Sequence, residues 1–135
     1  MTIESDPMQR YRKGARGERE LIHIFDDSGF SVIRAAGSGV NALSPDILAF
    51  RRGKQYALEC KAWDSGRVAI APEKFDAMLR WEENTGITTL LAWKMPYQGW
   101  FFAYLGELER NERSYSITKK RMVEIGRTLD ELLKC

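Results

Sequence analysis

Between Thr88 and Met95 the chain reads Thr-Thr-Leu-Leu-Ala-Trp-Lys-Met, with Lys94 its single charge. A strand of this kind is buried on both faces, because neither set of alternate side chains is polar. The sheet that holds it must therefore be covered from two sides. The remaining segments supply that cover. Residues 10–28 read as a helix ended by Gly29, with Tyr11, Ala15, Leu21, Ile22 and Phe25 on one stripe and Arg16, Glu20, His23 and Asp27 opposite. Residues 31–36 form a short strand, and Gly37-Ser38-Gly39 follows as a flexible loop. Residues 46–50 and 55–63 are strands joined by the turn Arg51-Arg52-Gly53-Lys54, and 67–70 is a further short strand. Pro72 opens a second helix that Gly86 closes, with Phe75, Met78 and Leu79 on its inner stripe. Trp81 lies about 100° off that stripe and faces something outside the main core. Residues 100–105 are a strand whose Trp100, Phe101 and Phe102 must serve both of its faces. Thr118 caps a last helix carrying Met122, Ile125, Leu129, Leu132 and Leu133. The order helix, three strands, helix, two strands, helix gives an α/β domain with a central mixed sheet flanked by helices. Residues 1–9 read as a flexible N-terminus and residues 10–135 as a single domain.

Composition agrees. A chain of 135 residues, 44% apolar and 30% charged, is one folded domain and not a disordered segment. No run approaches the ~18 apolar residues of a membrane span, and the first ten residues lack a signal-peptide core. Two cysteines, Cys60 and Cys135, make no disulfide framework, so a cytoplasmic, reduced location is expected. The net charge of +2 hides an asymmetry: Arg10, Arg12, Lys13, Arg16 and Arg19 fall within ten residues that hold one acid, Glu18. Such a segment suits a polyanion surface or a solvated helix start. Glu18 itself falls inside the apolar stripe. A carboxylate there is costly unless a partner satisfies it or it reaches water past its neighbours.

The chemistry concentrates in Ser44-Pro45-Asp46 and Leu58-Glu59-Cys60-Lys61. In a strand, Tyr56, Leu58, Cys60 and Ala62 point one way, toward a core, while Glu59 and Lys61 point the other way together. Four steps separate Asp46 from Phe50 and four separate Gln55 from Glu59, so the hairpin brings Asp46 and Glu59 to the same end. Two carboxylates so placed raise each other's pKa, and a hard divalent cation removes the conflict. A lysine beside them can orient a water or neutralise a developing oxyanion. These parts suit metal-assisted hydrolysis of a phosphodiester. A plain ion pair between Glu59 and Lys61, worth ~0–1 kcal/mol, is the structural alternative. His23, the single histidine, belongs to the polar helix face.

Glu18, Pro45-Asp46 and Glu59-Cys60-Lys61 resemble the restriction-endonuclease-like, or PD-(D/E)xK, nuclease fold. Residues 13–21 (Lys-Gly-Ala-Arg-Gly-Glu-Arg-Glu-Leu), Arg34-Ala35-Ala36-Gly37-Ser38-Gly39, Ser44-Pro45-Asp46-Ile47-Leu48-Ala49 and Ala57-Leu58-Glu59-Cys60-Lys61 are similar to the archaeal Holliday junction resolvases. The resemblance runs from about Arg10 to the end, specific in the first half and a matter of pattern in the second. It implies that Asp46, Glu59 and the Cys60 backbone carbonyl bind Mg²⁺, with Mn²⁺ able to substitute. Glu18 would complete the acidic cluster, directly or through water. Lys61 would act at the attacking water or the scissile phosphate, and Ser38 would close on the site from a mobile loop. Arg10, Arg12, Lys13, Arg16, Arg19, Arg34 and Lys94 would line the DNA. The resemblance further implies a homodimer, with Trp81 a candidate interface residue, and four-way junction DNA as the substrate. The junction would be nicked in opposing strands to leave 5′-phosphate ends during recombination and repair. A sliding clamp or other recombination proteins are further candidate partners, and the location would be cytoplasmic, at the nucleoid. Two other readings fit the same residues: another nuclease of this fold, restriction-type or single-strand, and a junction-binding module that does not cut.

Overall fold

The computed structural model describes residues 7–35, 44–61 and 65–134, with side chains from Arg16 onward. Helix α1 (Pro7–Asp27) leads into β1 (Ser31–Arg34), β2 (Ile47–Arg51), β3 (Lys54–Lys61) and β4 (Arg67–Ile70). Helix α2 (Pro72–Thr85), β5 (Thr88–Met95) and β6 (Gly99–Tyr104) follow. A 3-10 turn (Leu105–Glu107), β7 (Glu109–Arg110), β8 (Tyr115–Thr118), α3 (Lys119–Ile125) and α4 (Leu129–Leu133) complete the chain. Residues 7–9, expected in the flexible N-terminus, are already helical. Pro7 suits a first turn because it has no N–H to leave unpaired.

The main sheet has the order β1-β2-β3-β5-β6. Only β3 and β5 run parallel, so the sheet is mixed, as expected. Its alternate side chains feed two cores. Leu58, Leu90, Ala92, Trp100 and Phe102 pack against Leu21 and Phe25 of α1 and Leu132 of α4. Leu91, Trp93, Met95, Phe101 and Ala103 pack against Phe75 and Met78 of α2 and Met122 of α3. Trp100, Phe101 and Phe102 are therefore all core residues, divided between the two faces.

Three features depart from the sequence reading. A second sheet, β4-β8-β7, covers the α2 side of the main sheet, with Val68, Ile70 and Ile117 in that core. Its strands are too short to carry a periodic signal. The last helix is two helices: Gly126 takes φ +66° and closes α3, though Thr118 does cap it, accepting the Arg121 N–H at 3.1 Å. Residues 126–128 then cross the sheet edge at β6, where the Phe102 N–H donates to the Arg127 carbonyl at 2.9 Å. That crossing is why Met122 and Leu132 serve opposite faces. Leu79, expected on the inner stripe of α2, is 36% exposed, and Phe75 and Met78 alone are buried on that helix.

Candidate active site

The β2–β3 hairpin turns through Arg52 and Gly53, whose φ of +81° permits the tight reversal. Its last ladder pair is Ile47 with Leu58, so Asp46 lies one residue beyond it, at the same end as Glu59, as the hairpin count implies. The Asp46 N–H donates to the Leu58 carbonyl at 3.0 Å. Asp46 Oδ2 accepts the Cys60 N–H at 2.9 Å, which fixes the carboxylate against β3.

Glu59 points away from Cys60, as alternation requires, but not into open space. It faces the core under α2 and is only 6% exposed. Lys74 Nζ, from the first turn of α2, lies 3.4 Å from Glu59 Oε1, and Lys61 Nζ lies 3.9 Å from Oε2. Lys74 also donates to the Ser44 carbonyl at 2.7 Å, tying α2 to the approach to Asp46. Among the described residues, Glu59 Oε1 is buried with no hydrogen bond. Burial first, and then the Asp46 charge, push the Glu59 carboxyl up to about 7 against the pull of Lys74 and Lys61.

Glu18 enters from α1. It is half-buried and accepts from Arg34 Nε at 3.1 Å. Burial and then Asp46 raise its carboxyl, opposed by Arg34 and Lys61, so the four groups share one field. The Cys60 thiol turns to the α1 side, and burial followed by Asp46, Glu18 and Glu59 push it up.

The other sequence candidates are distributed as follows. Arg16 and Arg19 are exposed on α1, and Arg34 is exposed on β1 while pairing with Glu18. Lys94, next to the last residue of β5, forms an ion pair with Glu20, whose other oxygen accepts the Trp100 indole N–H at 3.2 Å. Glu20 was expected on the solvated helix face; Trp100 and Lys94 draw it back over the sheet instead. Trp81 is half-buried on α2 and belongs to neither core. Ser38 lies outside the described residues, as do the side chains of Arg10, Arg12 and Lys13. Sequence reasoning missed Lys74. Its one signal is a place in the first turn of a helix opened by Pro72, and that says nothing of Glu59.

Two carboxylates close enough to feel each other's charge, with a buried oxygen left without a hydrogen bond, fit a divalent cation. Asp46 and Glu59 could hold it. Among the described residues there is no ready-made group of three or more metal-ligating side chains, and Glu18 pairs with Arg34.

Comparison with known proteins agrees with this geometry. The family model for the archaeal Holliday junction resolvase (hjc) matches residues 9–135. A crossover junction endodeoxyribonuclease of Archaeoglobus fulgidus is 31% identical over 106 residues, 78% of each chain. That of Methanocaldococcus jannaschii is 37% identical over 86 residues, 63% of this chain and 61% of the relative. That of Sulfolobus acidocaldarius is 28% identical over 130 residues, 94% of this chain and 90% of the relative. The solved structure of the A. fulgidus Holliday junction resolvase superposes with a TM-score of 0.82 at 27% identity, over 90% of this chain and all of that one. With the acidic pair, its lysine and the sheet that aligns them all inside the matched span, the chain belongs to the archaeal Holliday junction resolvase family.

Proposed function

We infer that this chain is a crossover junction endodeoxyribonuclease, which hydrolyses phosphodiesters of four-way DNA junctions in homologous recombination and repair. The observation that carries the reading is the close placement of Asp46 and Glu59 at one end of the hairpin, with Lys61 beside them, inside a family match over residues 9–135. Mg²⁺, or Mn²⁺ in its place, held by Asp46, Glu59 and the Cys60 backbone carbonyl, would supply Lewis acidity to the phosphodiester. Asp46 is pre-positioned by the Cys60 N–H and needs no reorganisation. Lys61 shares the Glu59 face, where it orients the attacking water or steadies charge on the phosphate. Glu18 completes the acidic side, with Arg34 setting its direction. Water adds to phosphorus and the 3′-oxygen leaves, giving 5′-phosphate and 3′-hydroxyl ends. Arg10, Arg12, Lys13, Arg16, Arg19 and Arg34 hold phosphates; Lys94 can join them only by sharing its charge with Glu20. Ser38 is a further candidate at this site, as the family resemblance implies. A homodimer joined near Trp81 would set two sites on opposing strands.

The test is a nicking assay on a synthetic four-way junction labelled one arm at a time, beside a linear duplex of matching sequence, in Mg²⁺ and in EDTA. Symmetric Mg²⁺-dependent nicks in the junction alone are expected. Cleavage of the duplex as well would leave a nuclease without junction selectivity, and tight binding without cleavage would leave a binding module.

A further inference from the structure

One residue outside the site is held in a conformation that its type disfavours, in full view of solvent. The hairpin between β5 and β6 turns through Met95-Pro96-Tyr97-Gln98, closed by a Gln98 N–H to Met95 carbonyl bond of 3.2 Å. Proline in the second place and a positive φ in the third define a turn that favours glycine or asparagine at that third place. Here the third residue is Tyr97, with φ +65° and a relative exposure of 108%. It is the sole non-glycine residue with positive φ among those described. An aromatic ring in left-handed backbone, touching nothing, contributes no packing to offset its strain.

The turn is firmly mounted. Met95 and Trp100 flank it and are buried, and Met95 pairs with Gly99 in the ladder. Glu20 of α1 grips both Lys94 and the Trp100 indole. The mount also has a direction. Strands β3 and β5 run parallel, with Lys61 in register with Trp93. Two further residues of β5 carry the chain past Lys61 to the turn. The Tyr97 ring thus projects from the catalytic end of the sheet, on the order of 10 Å from Lys61.

We propose that Tyr97 is a base-stacking residue that reads the branch point of the junction. The proposal rests on the reading of the chain as a junction nuclease and deepens it. In a continuous duplex both faces of every base are covered by its neighbours. At a strand exchange the stack is interrupted, and a rigidly presented phenol ring can cover the open face. Among the described residues, Arg34, Lys61, Lys74 and Lys94 are the cations around this end of the sheet. A cation attracts the phosphates of any DNA, so the ring supplies a contact that continuous duplex cannot offer.

The experiment measures binding in EDTA to a four-way junction carrying 2-aminopurine at the crossover, beside a linear duplex carrying the same label. The wild-type chain and Tyr97→Phe should change the branch-point fluorescence, since stacking needs the ring and not the hydroxyl. Tyr97→Gly should lose that change and bind the junction about tenfold more weakly, in the range of a single aromatic–base stack. Its duplex affinity should be unaltered, and it should melt no lower than wild type because glycine relieves the turn. Tyr97→Asn, which also tolerates this backbone, should behave as Tyr97→Gly does. Equal junction affinity and an equal fluorescence change in Tyr97→Gly would overturn the proposal while leaving the nuclease reading intact. So would a loss of self-association in sedimentation that accounts for the loss of binding. A wild-type chain that neither binds nor nicks the junction would overturn both.

Discussion

Two glutamates at the edge of the same core are treated in opposite ways. Glu107 closes the 3-10 turn after β6. Its Oε1 accepts the Tyr104 N–H at 2.7 Å and Arg127 Nη1 at 2.6 Å, and Arg127 Nη2 reaches Oε2 at 3.4 Å. Arg127 also lies 3.8 Å over the Tyr104 ring and donates to the Phe102 carbonyl at 3.2 Å. Burial alone would push the Glu107 carboxyl up, but the Arg127 and Tyr104 donors hold it below its ordinary range. Glu59 is more deeply buried, has two ammonium groups near it, and still keeps an oxygen without a hydrogen bond. Its carboxyl is driven up instead. The difference separates a carboxylate that holds the fold together from one that, in the proposed function, would receive a cation. The first is saturated with donors, and the second is given too few.

The comparison can be broken at three points, in falling order of effect. Asp46→Asn should lower junction cleavage by on the order of 10³-fold while junction binding survives, since the amide oxygen can still accept the Cys60 N–H. Cleavage rates and gel shifts on one preparation check this. Arg127→Ala should cost about 2–3 kcal/mol in urea unfolding, because it strips Glu107 and frees the chain crossing at β6, with the cleavage rate per folded molecule unchanged. A rate loss in step with the stability loss would erase the distinction between the two glutamates. Lys74→Ala should lower cleavage about tenfold, because Glu59 loses an ion-pair partner and the Ser44 carbonyl the donor that orients it. Lys74→Arg should recover most of it, and single-turnover rates compare the two.

The parts of this picture that were legible in the sequence are those fixed by local rules. A tight turn sets a register, so counting four steps out from Phe50 and from Gln55 brings Asp46 and Glu59 to the same end, where the structure has them. Pro72 and Gly86 bound α2 because each suits one helix end. The nearly all-apolar β5 required cover on two sides and has it. What could not be read depends on contacts distant in sequence. Alternation showed that Glu59 and Lys61 share a face. It could not show that α2 closes over that face, and this closure is what buries Glu59 and brings Lys74 to it. Glu20 sits on the polar side of a helical wheel, yet it turns inward because Trp100 and Lys94 meet it there. The stripe from Met122 to Leu133 reads as one helix only if Gly126 is overlooked, and that glycine ends α3.

The claim that Glu59 is deliberately under-satisfied is tested most directly by unfolding the metal-free protein and Glu59→Gln in EDTA at pH 5 and pH 7.5. The Glu59 carboxyl is raised from 4.5 to about 7 on folding, so between those values the folded state holds a proton that the unfolded state has lost. Stability must then fall as pH rises through that window, by about 3 kcal/mol for this group. The account predicts that Glu59→Gln is the more stable protein at pH 7.5, that the two approach each other at pH 5, and that the variant no longer cleaves junctions. Parallel curves for the two proteins, or a variant less stable at pH 7.5, would contradict it.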